Sequence, residues 1–171
     1  MIETEVKIRI QDAADMRHRL LLLGCAVTTE RFLETDAFYD LPGVPLSLRK
    51  EALRLRTIGK RSWLTHKGAP RKARSFKVRE EHESEIRNPA EFRKILKALG
   101  LRPVFRYQKR RTHLRIGRLR ICLDETTIGN FIELEGKRAE IVRFAKQLGV
   151  KRTEFITLDY VRMIREAAKA R

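Results

Sequence analysis

The stretch MIETEVKIRI, residues 1–10, decides how the rest of the chain is read. At period two, Ile2, Thr4, Val6, Ile8 and Ile10 share one face, while Glu3, Glu5, Lys7 and Arg9 share the other. Such alternation predicts a β-strand with one buried face. The run of charges on the second face needs a reason. For one strand alone the commoner reason is solvent, because antiparallel sheets often keep one face wet and charges there protect edges.

The pattern does not stay with one strand. EALRLRTI (51–58), RSWLTHKG (61–68), KVREEHESEI (77–86), VFRYQKRRTHLRI (104–116), RLRICLDE (118–125) and NFIELEG (130–136) alternate or carry β-branched and aromatic residues. The count is roughly eight strands. Helices are fewer. Asp12 caps one that bears Met16, Leu20 and Leu23 and stops at Gly24. Asn88, Pro89 and Glu91 start a second, which carries Phe92, Ile95, Leu96 and Leu99 to Gly100. A third covers about 137–148, with Ile141, Phe144 and Leu148, and a fourth begins near Thr157. The expected fold is α+β: an eight-stranded antiparallel β-barrel with flanking helices, formed by residues 1–171 as a single domain.

A chain of 171 residues with 42% hydrophobic content can bury a core without staples. Its 39 Lys and Arg against 22 Asp and Glu leave a net charge of +17, which points to an anionic partner. Cys25 and Cys122 have no metal-ligand spacing, and each is expected to pack as a small core residue. Charge from the third residue onward argues against a secretory signal, and LLLLGCAV (20–27) is too short to span a bilayer. A cytoplasmic location without a membrane partner is expected.

The charges fall in like-signed pairs, Glu pairs at three places and Arg or Lys pairs at others. Arg54 and Arg56 alternate with Leu53 and Leu55, and Lys67 shares a face with Trp63 and Thr65. Arg79, Glu81 and Glu83 share a face, as do Lys109 and Arg111, and as do Arg118, Arg120 and Asp124. Glu133 and Glu135 alternate with Ile132 and Leu134. In a closed barrel such positions converge inside, with helices covering the apolar exterior. Carboxylates are hard donors suited to Mg²⁺ or Mn²⁺, while Arg forks and Lys point charges suit phosphate oxygens. Both together describe a site for a metal–polyphosphate complex.

The Glu-x-Glu-x-Lys of the opening strand resembles the signature of the CYTH, or triphosphate tunnel metalloenzyme, superfamily. Its members include class IV adenylyl cyclases, thiamine triphosphatases and inorganic tripolyphosphatases. ETEVK, TDAFYD, ALRLR, LTHKG, REEHE, YQKRR, CLDETTIGNFIELE and LDYV follow the family's order over most of the chain. The resemblance implies a tunnel in which Glu3, Glu5, Glu133 and Glu135 hold Mg²⁺ or Mn²⁺, with Asp124 as the matching aspartate. It implies that Glu81 and Glu83 ligate a second metal or balance cations. It also implies a triphosphate cradle of Lys7, Arg54, Arg56, Lys67, Arg79, Lys109 and Arg111, with Glu3, Glu5 and Lys7 catalytic. His66, His113 and Asp159 depart from the family's usual Tyr, Tyr and Ser or Thr.

The expected activity is hydrolysis of an inorganic or organic triphosphate, with conversion of ATP to cyclic AMP and pyrophosphate as the alternative. A cyclase must orient adenine and ribose, and dedicated groups for that are not identifiable. Phe38, Tyr39 and the loop RKARSFK (71–77) are the candidates for a tunnel mouth. A non-enzymatic nucleic-acid or polyphosphate binding module ranks lower. RKARSFK and QKRRTHLR (108–115) would suit a phosphate-tracking sheet, but the Glu pairs would repel a nucleic acid. Weak capture of polyanions is expected from the excess charge, and the oligomeric state is open, a dimer included. GKRS (59–62) lacks P-loop spacing, and HESEI (82–86) lacks the second histidine of a zinc helix.

Overall fold

The computed structural model describes residues 2–73 and 75–170. Arg74, within the loop named above, lies outside the described residues. In chain order the elements are β1 (Ile2–Ile10), α1 (Ala13–Leu22), β2 (Ala26–Asp40), β3 (Ala52–Ile58), β4 (Arg61–Lys67), β5 (Lys77–Ile86) and α2 (Pro89–Ala98). There follow β6 (Arg102–Ile116), β7 (Leu119–Thr126), β8 (Gly129–Glu135), α3 (Arg138–Gln147) and α4 (Tyr160–Lys169). Among the described residues the strands close into an antiparallel barrel in the order β1-β5-β4-β3-β2-β6-β7-β8. The expected eight-stranded barrel with flanking helices is the one observed.

Local chemistry sets the helix ends. The Asp12 carboxylate accepts the Asp15 N–H at 2.9 Å, and the Asn88 side chain accepts the Glu91 N–H at 3.3 Å. Gly24 and Gly100, both at φ +84°, take the left-handed turn that ends α1 and α2. The last helix begins at Tyr160 rather than near Thr157, because the Asp159 carboxylate accepts the Arg162 N–H at 2.9 Å and fixes the first turn there. β2 is the strand that alternation did not single out. Its first half, Ala26–Leu33, is largely exposed on both faces, so no apolar side marks it.

The chain divides into two compact units, one taking in Leu33–Arg71 and Arg79–Gln108, the other Glu3–Phe32, Lys72–Val78 and Lys109–Arg171. In the first unit, Leu96 of α2 packs with Ala37, Tyr39 and Leu55, flanked by Leu64, Ile86 and Phe92. In the second, Met16 and Leu20 of α1 and Ile141 and Phe144 of α3 cover Val6, Ile8, Ile121 and Leu134. Each unit therefore buries the apolar side of its strands under helices. The opening strand answers its own question: Glu5 is 8% exposed and Lys7 2%, against 0% for Val6. Both faces are buried along Glu5–Ile8, so Glu5 and Lys7 are not there for solvent, whereas Arg9 is exposed. Among the described residues no helix is long and apolar enough to cross a membrane.

Candidate functional site

In the second unit, antiparallel register builds a charged layer. β1 and β8 place Lys7 opposite Glu133 and Glu5 opposite Glu135, while β6 and β7 place Arg111 opposite Asp124. Lys7 Nζ lies 3.1 Å from Glu5 Oε1 and 3.0 Å from Glu133 Oε1. Lys77 adds a second cation on Glu5 at 2.9 Å. Arg111 forks onto Asp124 with two bonds of 2.5 Å and also bonds Glu133, and Lys109 reaches Asp124 Oδ2 at 3.3 Å. Burial works to lower the Lys7 pKa, but the Glu133 and Glu5 charges outweigh it and hold the ammonium above its ordinary value. Burial alone would raise Glu133 and Asp124. Arg111 and the neighbouring lysines instead hold both carboxyls below the usual range.

The first unit carries its own charged layer. Arg56 forks onto Asp36 at 2.9 and 3.0 Å and lies 2.8 Å from Glu34. Arg54 Nη2 donates to Thr65 Oγ1 at 3.0 Å and to Glu83 at 3.4 Å. Lys67 bonds Glu81, and Arg79 donates to the Lys50 carbonyl at 3.1 Å. Among the described residues the buried Nε–H groups of Arg54 and Arg79 have no hydrogen-bond acceptor, though Arg54 Nε lies 3.9 Å from Asp36 Oδ1. Phe38 stacks on Tyr107, with centroids 6.2 Å apart. Burial, reinforced by the Asp36 charge, holds the Tyr107 hydroxyl well above its ordinary pKa.

The expected carboxylates fall in different surroundings. Glu5, Glu133 and Glu135 share the second unit's layer, and Glu3 lies two residues before Glu5 on the same face of β1, partly buried. Asp124, 0% exposed, already receives Arg111, Lys109 and the Tyr160 hydroxyl. Glu81 and Glu83 belong to the first unit, where they meet Lys67 and Arg54. Among the described residues no three His, Cys, Asp or Glu side chains are grouped to hold a metal ion. The donors nevertheless fit a hard divalent cation in kind. Burial pushes Glu135 above its ordinary pKa; Arg120 pulls it down, while the Glu5 and Glu133 charges push it up again. A cation there would have to displace Lys7 and Lys77 from Glu5, Lys7 and Arg111 from Glu133, and Arg120 from Glu135.

Four participants received no individual site role from the sequence, although Asp36, Lys77 and Tyr160 stand in the quoted stretches TDAFYD, RKARSFK and LDYV. Glu34 and Asp36, each 1% exposed, alternate with Thr35 and Ala37, but the polar first half of β2 hides the signal. Lys77 stands on the face of Arg79, at the first residue of β5, and that shared face was its signal. Tyr160 arrives from a helix, so no strand periodicity could mark it. Cys25 joins the apolar core as expected, whereas Cys122 lies opposite Glu133 on the charged layer. Burial pushes its thiol up to about 12, which keeps it neutral.

Comparison with known proteins covers nearly the whole chain. Residues 1–157 match the family model described as the CYTH domain. A Methanocaldococcus jannaschii protein with the provisional name adenylate cyclase MJ0240 is 28% identical, over 95% of this chain and 98% of that one. A solved Vibrio parahaemolyticus protein, provisionally an adenylate cyclase, superposes with a TM-score of 0.85 at 21% identity, covering 96% of this chain and 98% of the other. HpAC1 from Hippeastrum, a provisional adenylyl cyclase described as having a dominant triphosphatase activity, gives 0.70 at 20% identity, covering 96% of each chain. The family match runs from the charged opening strand through β8 to the segment beyond α3, and on that match this chain belongs to the CYTH domain family.

Proposed function

We propose that this chain is a divalent-metal-dependent enzyme that processes a triphosphate, and that its reaction is hydrolysis of an inorganic or organic triphosphate. The observation that carries the reading is a set of buried cations with donors still unmatched. Arg54 and Arg79 are 8% and 6% exposed, yet among the described residues their Nε–H groups have no hydrogen-bond acceptor. A buried guanidinium N–H left unpaired is costly, and phosphate oxygens are its natural partners. Arg54, Arg79 and Lys67 bind phosphate oxygens in this reading. Lys7, Lys109 and Arg111, all buried, counter the charge that develops on the leaving bridging oxygen. Mg²⁺ or Mn²⁺ held by Glu3, Glu5, Glu133 and Glu135 would neutralise phosphate oxygens as a Lewis acid.

The alternative is ring closure of ATP to cyclic AMP and pyrophosphate, and the name of the 28% identical archaeal relative favours it. Names in this family do not divide the two reactions: the Hippeastrum protein carries a cyclase name and is described by its triphosphatase activity. A product assay decides. ATP and tripolyphosphate are compared with Mg²⁺, with Mn²⁺ and in excess EDTA. Orthophosphate from tripolyphosphate, lost in EDTA, is expected. Cyclic AMP with pyrophosphate from ATP overturns hydrolysis in favour of cyclisation. Full activity in EDTA overturns the metal. If neither substrate turns over and polyanion binding weakens steeply with salt, the chain is a binding module instead.

A further inference from the structure

The C-terminal segment meets the second unit's charged layer at two points. Ile156 bridges β1 at Lys7: the Lys7 N–H donates to the Ile156 carbonyl at 3.0 Å, and the Ile156 N–H donates back at 2.8 Å. Four residues on, Tyr160 opens α4 and is 3% exposed. Its ring lies against two ammonium groups, with Lys7 Nζ 5.1 Å and Lys109 Nζ 4.7 Å from the centroid. Its hydroxyl donates to Asp124 Oδ2 at 2.8 Å, on the carboxylate that also receives Arg111. Phe131 braces the ring edge-on at 5.5 Å. Tyr160 stands in LDYV, which follows the family's order, although the family-model match itself ends at residue 157.

Packing alone does not call for this residue. Leucine or phenylalanine would fill an apolar space without burying a hydroxyl, and neither lysine would choose a shared neighbour near another ammonium. An aromatic face carries negative potential, so it attracts both cations while they repel each other. The hydroxyl also holds Asp124, and through it the Arg111 fork. We propose that Tyr160 is a positioning residue that sets Lys7, Lys109 and Arg111 in place for a polyphosphate, the Ile156 bridge fixing Lys7 from its backbone. The proposal rests on the reading that these cations bind phosphate.

Calorimetric titration with tripolyphosphate in EDTA tests it without calling on turnover. Wild type is compared with Tyr160→Phe, which keeps the ring, and Tyr160→Leu, which loses ring face and hydroxyl together. The expected Kd rises about threefold for Phe and about thirtyfold for Leu, in line with one lost hydrogen bond and with desolvated cation–π contacts. Stoichiometry should stay unchanged. A merely structural role would lower the stoichiometry and leave Kd alone, and that result overturns the proposal. Variants that bind like wild type overturn it too, while leaving the functional reading intact. If Leu fails to fold, the Phe variant decides, and an unchanged Kd there counts against the proposal. Wild type that binds no tripolyphosphate in EDTA and none with Mg²⁺ or Mn²⁺ restored sinks the functional reading itself.

Discussion

Lys7 is 2% exposed and sits between Glu5 and Glu133, so three ionised groups share one dry place on two strands. Such a cluster persists only when each charge finds a partner, because the desolvation of an isolated ion would be prohibitive. This is also why a change of charge at constant shape is informative here. Glu5→Gln and Glu133→Gln should each lower turnover roughly 100-fold, as loss of a strong transition-state electrostatic contribution does. Glu3, partly buried and earlier on the same face, should follow with a smaller loss. Steady-state kinetics with tripolyphosphate checks the order, and full activity in Glu133→Gln would remove that carboxylate from the mechanism. At this scale the sequence was informative about which side chains face the charged layer, since period two places them. It was silent about pairing. Arg111 meets Asp124 because β6 and β7 align them, and that register is a property of two strands, not of either.

Elements show where local signals suffice. α2 was legible at both ends because Asn88 and Gly100 act within one turn of themselves. Asn88→Ala should cost about 1 kcal/mol. That lowers Tm by roughly 2–4 °C for a chain of this size, measurable by thermal denaturation. β2 was not legible as a strand, because its exposed first half offers no apolar face and its second half is committed by tertiary contacts. Its last residue does a different job. The Asp40 carboxylate accepts the Leu41 and Leu46 N–H groups at 2.9 and 2.6 Å, holding the turn that leads into the short helical segment Leu46–Arg49. Burial would raise its pKa, but these backbone donors outweigh burial and leave it lowered. A lowered folded pKa stabilises above the ordinary carboxylate value and loses that contribution as pH falls through the folded one. Asp40→Ala should therefore lose about 1–2 kcal/mol at pH 7. The gap to wild type should close as pH drops below about 4, the ordinary aspartate value. A gap that stays constant in acid, followed by denaturant titration, would show that charge at Asp40 is not what holds the turn.

For the molecule as a whole, a net charge of +17 allows two explanations of any anion effect. Surface lysines and arginines attract every anion weakly and in proportion to its charge, and salt screens them. Buried cations behave otherwise. Arg54 and Arg79 hold Nε–H donors away from water with no hydrogen-bond acceptor among the described residues, and an anion that reaches them is stabilised in a low-dielectric setting. A ligand that binds only the folded chain, at about 100 times its Kd, adds roughly 2.7 kcal/mol. That corresponds to a rise in Tm of roughly 5–10 °C for a chain of this size. Tripolyphosphate should give that rise, while orthophosphate, which carries fewer oxygens and less charge, should give a small fraction of it at equal concentration. Arg54→Ala should remove most of the difference, because a lysine ammonium nearby cannot reproduce a planar fork. Arg102→Ala, an exposed arginine at the start of β6, should leave it unchanged. Equal shifts for the two anions, or equal losses in the two variants, would assign the effect to general surface charge. The contrast between a buried and an exposed arginine of the same chemistry thus separates a built phosphate site from the basic surface around it.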